Sequence, residues 1–198
     1  IVSFILISGG FFGLTHVETH QWGGLMLTLV IASVGIIVSF PIGIFLALGR
    51  QSNLKIINFF STIFIEFIRA VPLITILFMA SFVLPLFFTE SMDFDKLLRA
   101  LIGIALFQAA YFAEVIRGGL QAIPKGQYEA ADAIGLNYVQ KNALIILPQA
   151  LKISIPNLVG SSISLFKDTT LVLIIGLMDM LAMVNMTSND PYWLGRET

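Results

Sequence analysis

Few side chains in this sequence could do chemistry. There is no cysteine, which removes thiolate nucleophiles, disulfides and zinc–cysteine centres. The two histidines, His16 and His20, are four residues apart and could put two imidazoles on one helix face for a metal. The Gly- and Thr-bounded stretch around them reads instead as a loop, so no metal site is expected. What remains are charges set in apolar sequence. Glu66 and Arg69 are three residues apart, as are Glu114 and Arg117, and such pairs can meet on one helix face. Lys167 and Asp168 are adjacent, so they point about 100° apart and each needs a partner from another helix or from a solute.

These charges must be positioned by helices in a membrane. The 198 residues are 57% hydrophobic and 12% charged, with a mean hydropathy of +0.92, whereas a soluble domain carries roughly a quarter charged residues. The apolar residues fall in blocks, and none of the side chains from Gly23 to Gly49 is ionisable. A helix crossing a bilayer core needs roughly 20 apolar residues. A soluble globular domain is excluded. A net charge of −1 without a basic tract also argues against nucleic-acid binding.

Four complete spans are expected, at about 23–49, 56–88, 97–116 and 153–178, all helical, because the pattern does not alternate as a barrel strand would. Pro41 lies inside the first. Pro72 and Pro85 divide the second, which reads as one broken or tilted helix because no polar turn separates its parts. Ile1 to Leu14 reads as the outer half of a helix whose beginning lies upstream. Arg50, Lys55, Arg117, Lys125, Lys141 and Lys152 share one side of the bilayer, whereas Lys96, Arg99 and Arg196 lie opposite beside Glu18, Glu90, Asp93, Asp95, Asp190 and Glu197. The first side is therefore expected to be cytoplasmic, with the loop 117–152 inside and the acidic loop 89–96 outside.

That loop is the only long polar segment. Pro124 and Gly126 are expected to break structure, Gln127 to Ile134 to form a short helix, and Gly135 to end it in a left-handed conformation. Ala130, Ala131 and Ala133 would make the helix thin enough for another backbone to approach, which suits a groove in a partner. Glu129 has two readings, a contact with that partner or a helix-start charge worth about 0.3–1 kcal/mol to its own first turn.

Glu129-Ala130-Ala131, Gly135, and then Ile145, Leu147 and Pro148 resemble, at the family spacing, the EAA motif of ABC importer membrane subunits. Tyr111, Glu114, Arg117, Gly118, Gly119, Lys125, Gly126 and Gln127 resemble the polar amino-acid branch of that family, as does Leu165-Phe166-Lys167-Asp168-Thr169-Thr170. The stretch Glu66 to Pro85 looks closest to the general L-amino-acid permeases, although Ala70 follows Arg69 where the family commonly has Gly. The likeness extends from about Gln21 to Asp190.

The resemblance implies an all-α transmembrane bundle of the type I importer class, with a domain over 23–190 and a further C-terminal span beyond it. It implies a non-catalytic permease subunit in the bacterial inner membrane, importing L-amino acids. Its partners would be a pair of ABC ATPase subunits that bind ATP–Mg, a second homologous permease forming a heterodimer, and a periplasmic amino-acid-binding protein. Gly126, Glu129, Ala130, Ala131, Gly135, Leu147 and Pro148 would couple to the ATPase, and no cofactor would be held by this chain. Indeed, no G-x-x-x-x-G-K-[ST] phosphate loop occurs in the sequence.

For Glu114 and Arg117, near the cytoplasmic end, mutual neutralisation is the expected reading, because an unpaired charge in a span costs at least ~2.5–3.5 kcal/mol. Glu66 and Arg69 precede Pro72, whose break frees carbonyls near mid-membrane, so substrate contact and neutralisation both stay open. For Lys167 and Asp168, solute contact and an inter-helix salt bridge stay equally open. Three other classes of function fit less well, one of them a purely structural membrane subunit, which would show no solute dependence. A channel would need a carbonyl-rich filter sequence, and a membrane-embedded enzyme would need a nucleophile–base pair or metal cluster.

Overall fold

A computed structural model describes residues 17, 19, 22–87 and 95–190. Among them the chain forms α1 (Gly24–Arg50), α2 (Lys55–Ala70), α3 (Leu73–Phe78), α4 (Lys96–Gln121), α5 (Lys125–Ala133), α6 (Tyr138–Lys141), α7 (Leu147–Asp168) and α8 (Met180–Ser188). Three helical runs, Gly24–Arg50, Lys96–Gln121 and Tyr138–Ile175, are long and apolar enough to cross a membrane. A fourth results if the broken run from Lys55 to Phe87 is one span. The expected half-helix at 1–14, the histidines His16 and His20, and most of the acidic loop lie outside the described residues.

Prolines shape the spans in two ways. Pro41 and Pro156 sit inside α1 and α7 without ending them. Near Pro41 the Ser39 hydroxyl donates to the Ile36 carbonyl at 3.0 Å. Pro85 and Pro148 each follow a leucine that ends a five-residue π-turn, Met79–Val83 and Asn142–Ile146. In each case the leucine N–H reaches back five residues, Leu84 to the Met79 carbonyl and Leu147 to that of Asn142. The wide turn makes room for a ring that has no N–H and would crowd the carbonyl four residues back.

The residues form two compact units: 1–35, 72–104 and 166–198 in one, and 36–71 and 105–165 in the other. In the first, α3 packs on the 3-10 turn Thr169–Ile175, and Gly24 N–H donates to the Met178 carbonyl at 2.9 Å. Asp179 is buried yet satisfied: its carboxylate accepts from the N–H groups of Leu181 and Ala182, capping α8. Sequence patterning did not announce α8, which follows directly on the last span.

The second unit holds a core of Ala47, Ile65, Phe112, Ala113, Ile116, Leu120, Ile123, Ile146, Ala150 and Leu158. Its tightest contact is at Gly119. A methyl group there would stand 2.5 Å from the Ala150 carbonyl oxygen, so α4 and α7 approach backbone to backbone. Nearby, Gln108, itself buried, donates to the Ser161 hydroxyl at 2.9 Å. Two helices run past the expected span limits. α4 runs on to Gln121 rather than ending near Ile116, because Arg117, Gly118 and Gly119 are helical and Gly119 is needed against Ala150. The last helical run starts at Tyr138, ahead of the span expected from about 153, and Leu147 and Pro148 stand in it.

Candidate functional site

Two groups of residues in the second unit could act, the short helix α5 and a cluster of charges. α5 begins at Lys125, with Pro124 at its N-cap. Pro124 alone therefore breaks the chain, and Gly126 lies within the helix, which starts two residues earlier than expected. The helix ends in a Schellman turn. Gly135 has φ +77°, its N–H donates to the Asp132 carbonyl at 3.0 Å, and Leu136 N–H donates to that of Ala131 at 3.2 Å. The sequence-based termination at Gly135 is what the structure has.

Three polar contacts fix α5 to the rest of the unit. The Tyr128 hydroxyl donates to the Leu120 carbonyl at 3.4 Å; burial pushes this phenol above its ordinary pKa, so it stays a donor at physiological pH. Gln149 donates to the Gln127 side-chain oxygen at 3.0 Å. Lys141 pairs with Asp132 at 2.5 Å, and α6, which carries Lys141, is itself held by a capping box of Asn137 and Gln140.

This pinning sorts the expected coupling residues. Gly126, Glu129, Ala130 and Ala133 are exposed and lie on one face at helical spacing. Ala131 is fully buried, so it is small to let α5 sit against its own chain, not a partner. Glu129 is in the second turn, past the reach of the N-terminal dipole, and the helix has no acidic residue in its first turn. The helix-start role for Glu129 therefore falls. Leu147 packs on the core, and exposed Pro148 follows the π-turn.

Two large apolar residues that the sequence did not single out are exposed, Ile134 just after α5 and Val139 in α6. Ile134 is 71% exposed and Val139 70%, in a segment that is otherwise polar. Such an apolar patch on a polar surface signals a contact site. The signal was present in the sequence as the apolar residues that flank Gly135, yet their exposure depends on where α5 and α6 face.

The charge cluster centres on Glu114. Its carboxylate accepts from Arg50 at 2.9 Å and from the Arg117 Nε at 3.0 Å, with a second bond from the Arg117 terminal nitrogen. Arg69 approaches the same carboxylate at 3.6 Å and stacks 5.5 Å over the Tyr111 ring. Arg50 also binds Glu66, at 2.6 Å. Glu114 and Arg117 thus neutralise each other as their spacing suggests. Glu66 and Arg69 do not: Glu66 turns to Arg50, and Arg69 turns to Glu114.

In the first unit, Lys167 and Asp168 close α7. Lys167 is exposed and Asp168 half-buried, and among the described residues neither has an ionic partner. No group of three or more metal-ligating side chains occurs among the described residues.

Comparison with known proteins places the chain. Residues 39–195 match the family described as binding-protein-dependent transport system inner membrane components. The chain is 61% identical over 193 residues, 98% of its length and 53% of the relative's, to the inner membrane amino-acid ABC transporter permease protein YhdY of Escherichia coli (strain K12). It is 56% identical over 183 residues, 92% of its length and 42% of the relative's, to the glutamate/glutamine/aspartate/asparagine transport system permease protein BztC of Rhodobacter capsulatus. It thus spans about half the length of these curated relatives. A crystal structure of an amino acid ABC transporter with histidines superposes with a TM-score of 0.73 at 30% identity, covering 85% of this chain and 78% of that one. With its all-helical described structure, apolar spans and these matches, the chain belongs to the family of binding-protein-dependent transport system inner membrane components and is a multi-pass inner-membrane protein.

Proposed function

We propose that this chain is the permease subunit of an ATP-driven importer that moves L-amino acids from the periplasm to the cytoplasm. The observation that carries this reading is α5: a short helix, pinned at Tyr128, Gln127 and Asp132, with an exposed face of small residues and Glu129. A rigid exposed helix of this kind transmits a push, whereas a loose loop would absorb it. Gly126, Glu129 and Ala130, with Ile134 and Val139 beside them, form the face on which an ATPase subunit docks. Gly135, Ala131, Leu147 and Pro148 hold that face in place. The loop lies on the cytoplasmic side, following the lysines and arginines.

The chain carries no phosphate loop, so ATP–Mg is bound and hydrolysed by the partner ATPases and this subunit is not an enzyme. It holds no cofactor of its own. The partners are an ATPase dimer, a second homologous permease in a heterodimer, and a periplasmic amino-acid-binding protein. The deciding experiment is purification of the assembled complex. An ATPase should co-purify, and its turnover should rise with amino-acid-loaded binding protein; a complex without an ATPase, or with turnover indifferent to the loaded protein, overturns the reading.

Lys167 and Asp168 offer the translocating amino acid an ammonium and a carboxylate that have no ionic partner among the described residues. Losing a charge-assisted hydrogen bond is worth about 1.5–3 kcal/mol. Asp168→Asn should therefore lower uptake about 10–100-fold at unchanged membrane abundance. Full uptake of every amino acid by that variant would remove Asp168 from the pathway.

A further inference from the structure

α2 has two unlike faces. Lys55, Asn58, Thr62, Glu66 and Arg69 recur every three or four residues and so form one line along the helix. At 1.5 Å per residue that line is about 21 Å long, on the first limb of a run that bends by 102° before Leu73. Another line carries Ile56, Phe60 and Phe67, all exposed. Only Ile65 of α2 is buried. An apolar face suits lipid, but a polar line of this length in a membrane helix needs water or polar partners.

Both ends of the line are polar in their surroundings. At one end Glu66 binds Arg50, while Arg69 sits 3.6 Å from Glu114, outside hydrogen-bond reach, with its side chain 37% exposed. Arg69 is thus the guanidinium of the cluster with donors to spare. At the other end Ser52, Asn53, Lys55, Asn58 and Thr62, together with Phe59 and Ile63, line an open pocket of about 540 Å³, a volume in the range that takes small-molecule solutes. The Asn58 amide nitrogen is committed to the Arg50 carbonyl. Among the described residues the Thr62 hydroxyl and the Lys55 ammonium have no hydrogen-bond partner.

We infer that the polar line of α2 is the inner half of the solute path. An amino acid leaves the level of Arg69 and Glu66, where a guanidinium and a carboxylate match its two charges, and moves past Thr62 to the mouth at Asn58 and Lys55. The neutral middle of the line serves release, since a path must bind weakly enough along its length for the solute to leave. This inference rests on the import reading and adds to it the route and the residues that line it.

The absence of cysteine from this chain makes the test direct. Single variants Asn58→Cys, Thr62→Cys and Phe60→Cys are made in the complete transporter, with the partner subunits freed of cysteine. A membrane-impermeant cationic thiol reagent is applied to inside-out vesicles. Thr62→Cys and Asn58→Cys should react at least about tenfold faster than Phe60→Cys, because a thiolate forms only where water reaches it. Modified Thr62→Cys should lose about tenfold or more of its uptake, as a blocked path requires, while modified Phe60→Cys keeps it. Trapping the ATPases with ATP and vanadate should slow labelling at Thr62. Labelling of Thr62→Cys no faster than that of Phe60→Cys, as when a second permease chain covers the line, overturns the inference. So does full uptake after modification, as when lipid headgroups line it. A wild-type complex that takes up no amino acid instead sinks the import reading, and the labelling rates still test the water-filled line.

Discussion

Glu114→Gln is expected to be the most destabilising single change in the charge cluster. The carboxylate now neutralises Arg50 and Arg117 directly and Arg69 at longer range. Without it Glu66 is the one carboxylate left in the cluster, bound to Arg50, and Arg117 and Arg69 lose their anion. Removing one partner of a partly buried pair leaves a charge without compensation, which costs about 3 kcal/mol. The melting temperature in detergent should therefore fall by about 5–10 °C. A second change gives the sign test. Arg117→Gln removes one of the stranded cations, so the double variant should lose less than the sum of the two single losses. Additive losses, or an unchanged melting temperature for Glu114→Gln, would mean that the cluster holds nothing together.

That cluster also marks where sequence reading stops. Spacing correctly paired Glu114 with Arg117, because both lie on one continuous helix and their separation is fixed by its geometry. The same spacing failed for Glu66 and Arg69. Their helix is equally regular, but Arg50, at the end of α1, competes for Glu66 at 2.6 Å. Periodicity reports which neighbours are possible on one helix; it does not report who arrives from another. The span locations were legible for a simpler reason, since hydrocarbon demands long apolar runs. Their ends were not. Gly118 and Gly119 look like a loop by composition, yet the bare backbone of Gly119 is what lets α4 and α7 touch. Pro148 looks like a break, yet a π-turn absorbs it. In both cases packing overrode a local propensity worth about 1–3 kcal/mol. The proposed coupling helix was legible in outline because Pro124 and Gly135 punctuate it. Which of its residues face outward was not, because that depends on Tyr128, Gln149 and Lys141 holding one side inward.

Gly135→Asp is expected to abolish amino-acid uptake while leaving the protein in the membrane. The backbone at Gly135 is left-handed, φ +77°, which costs an ordinary residue about 1–2 kcal/mol and Asp somewhat less. No heavy atom lies within 4 Å of the place a Cβ would take, so the substitution creates no internal clash, and the spans are untouched. Membrane abundance should stay within about twofold of wild type. What changes is the surface: a carboxylate now projects from the end of the exposed face, next to Ile134, where an ATPase would pack. Burying an unpaired charge there costs several kcal/mol, enough to cut ATPase association and uptake by about two orders of magnitude or more. Gly135→Asn separates the two causes. Asn tolerates the left-handed conformation at least as well as Asp and adds a side chain of the same size without the charge, so it should keep a substantial part of uptake. If Gly135→Asp transports normally, the exposed end of α5 is not a docking surface. If Gly135→Asn is as inactive as Gly135→Asp, the charge is not the cause, and the shape of the turn alone governs coupling.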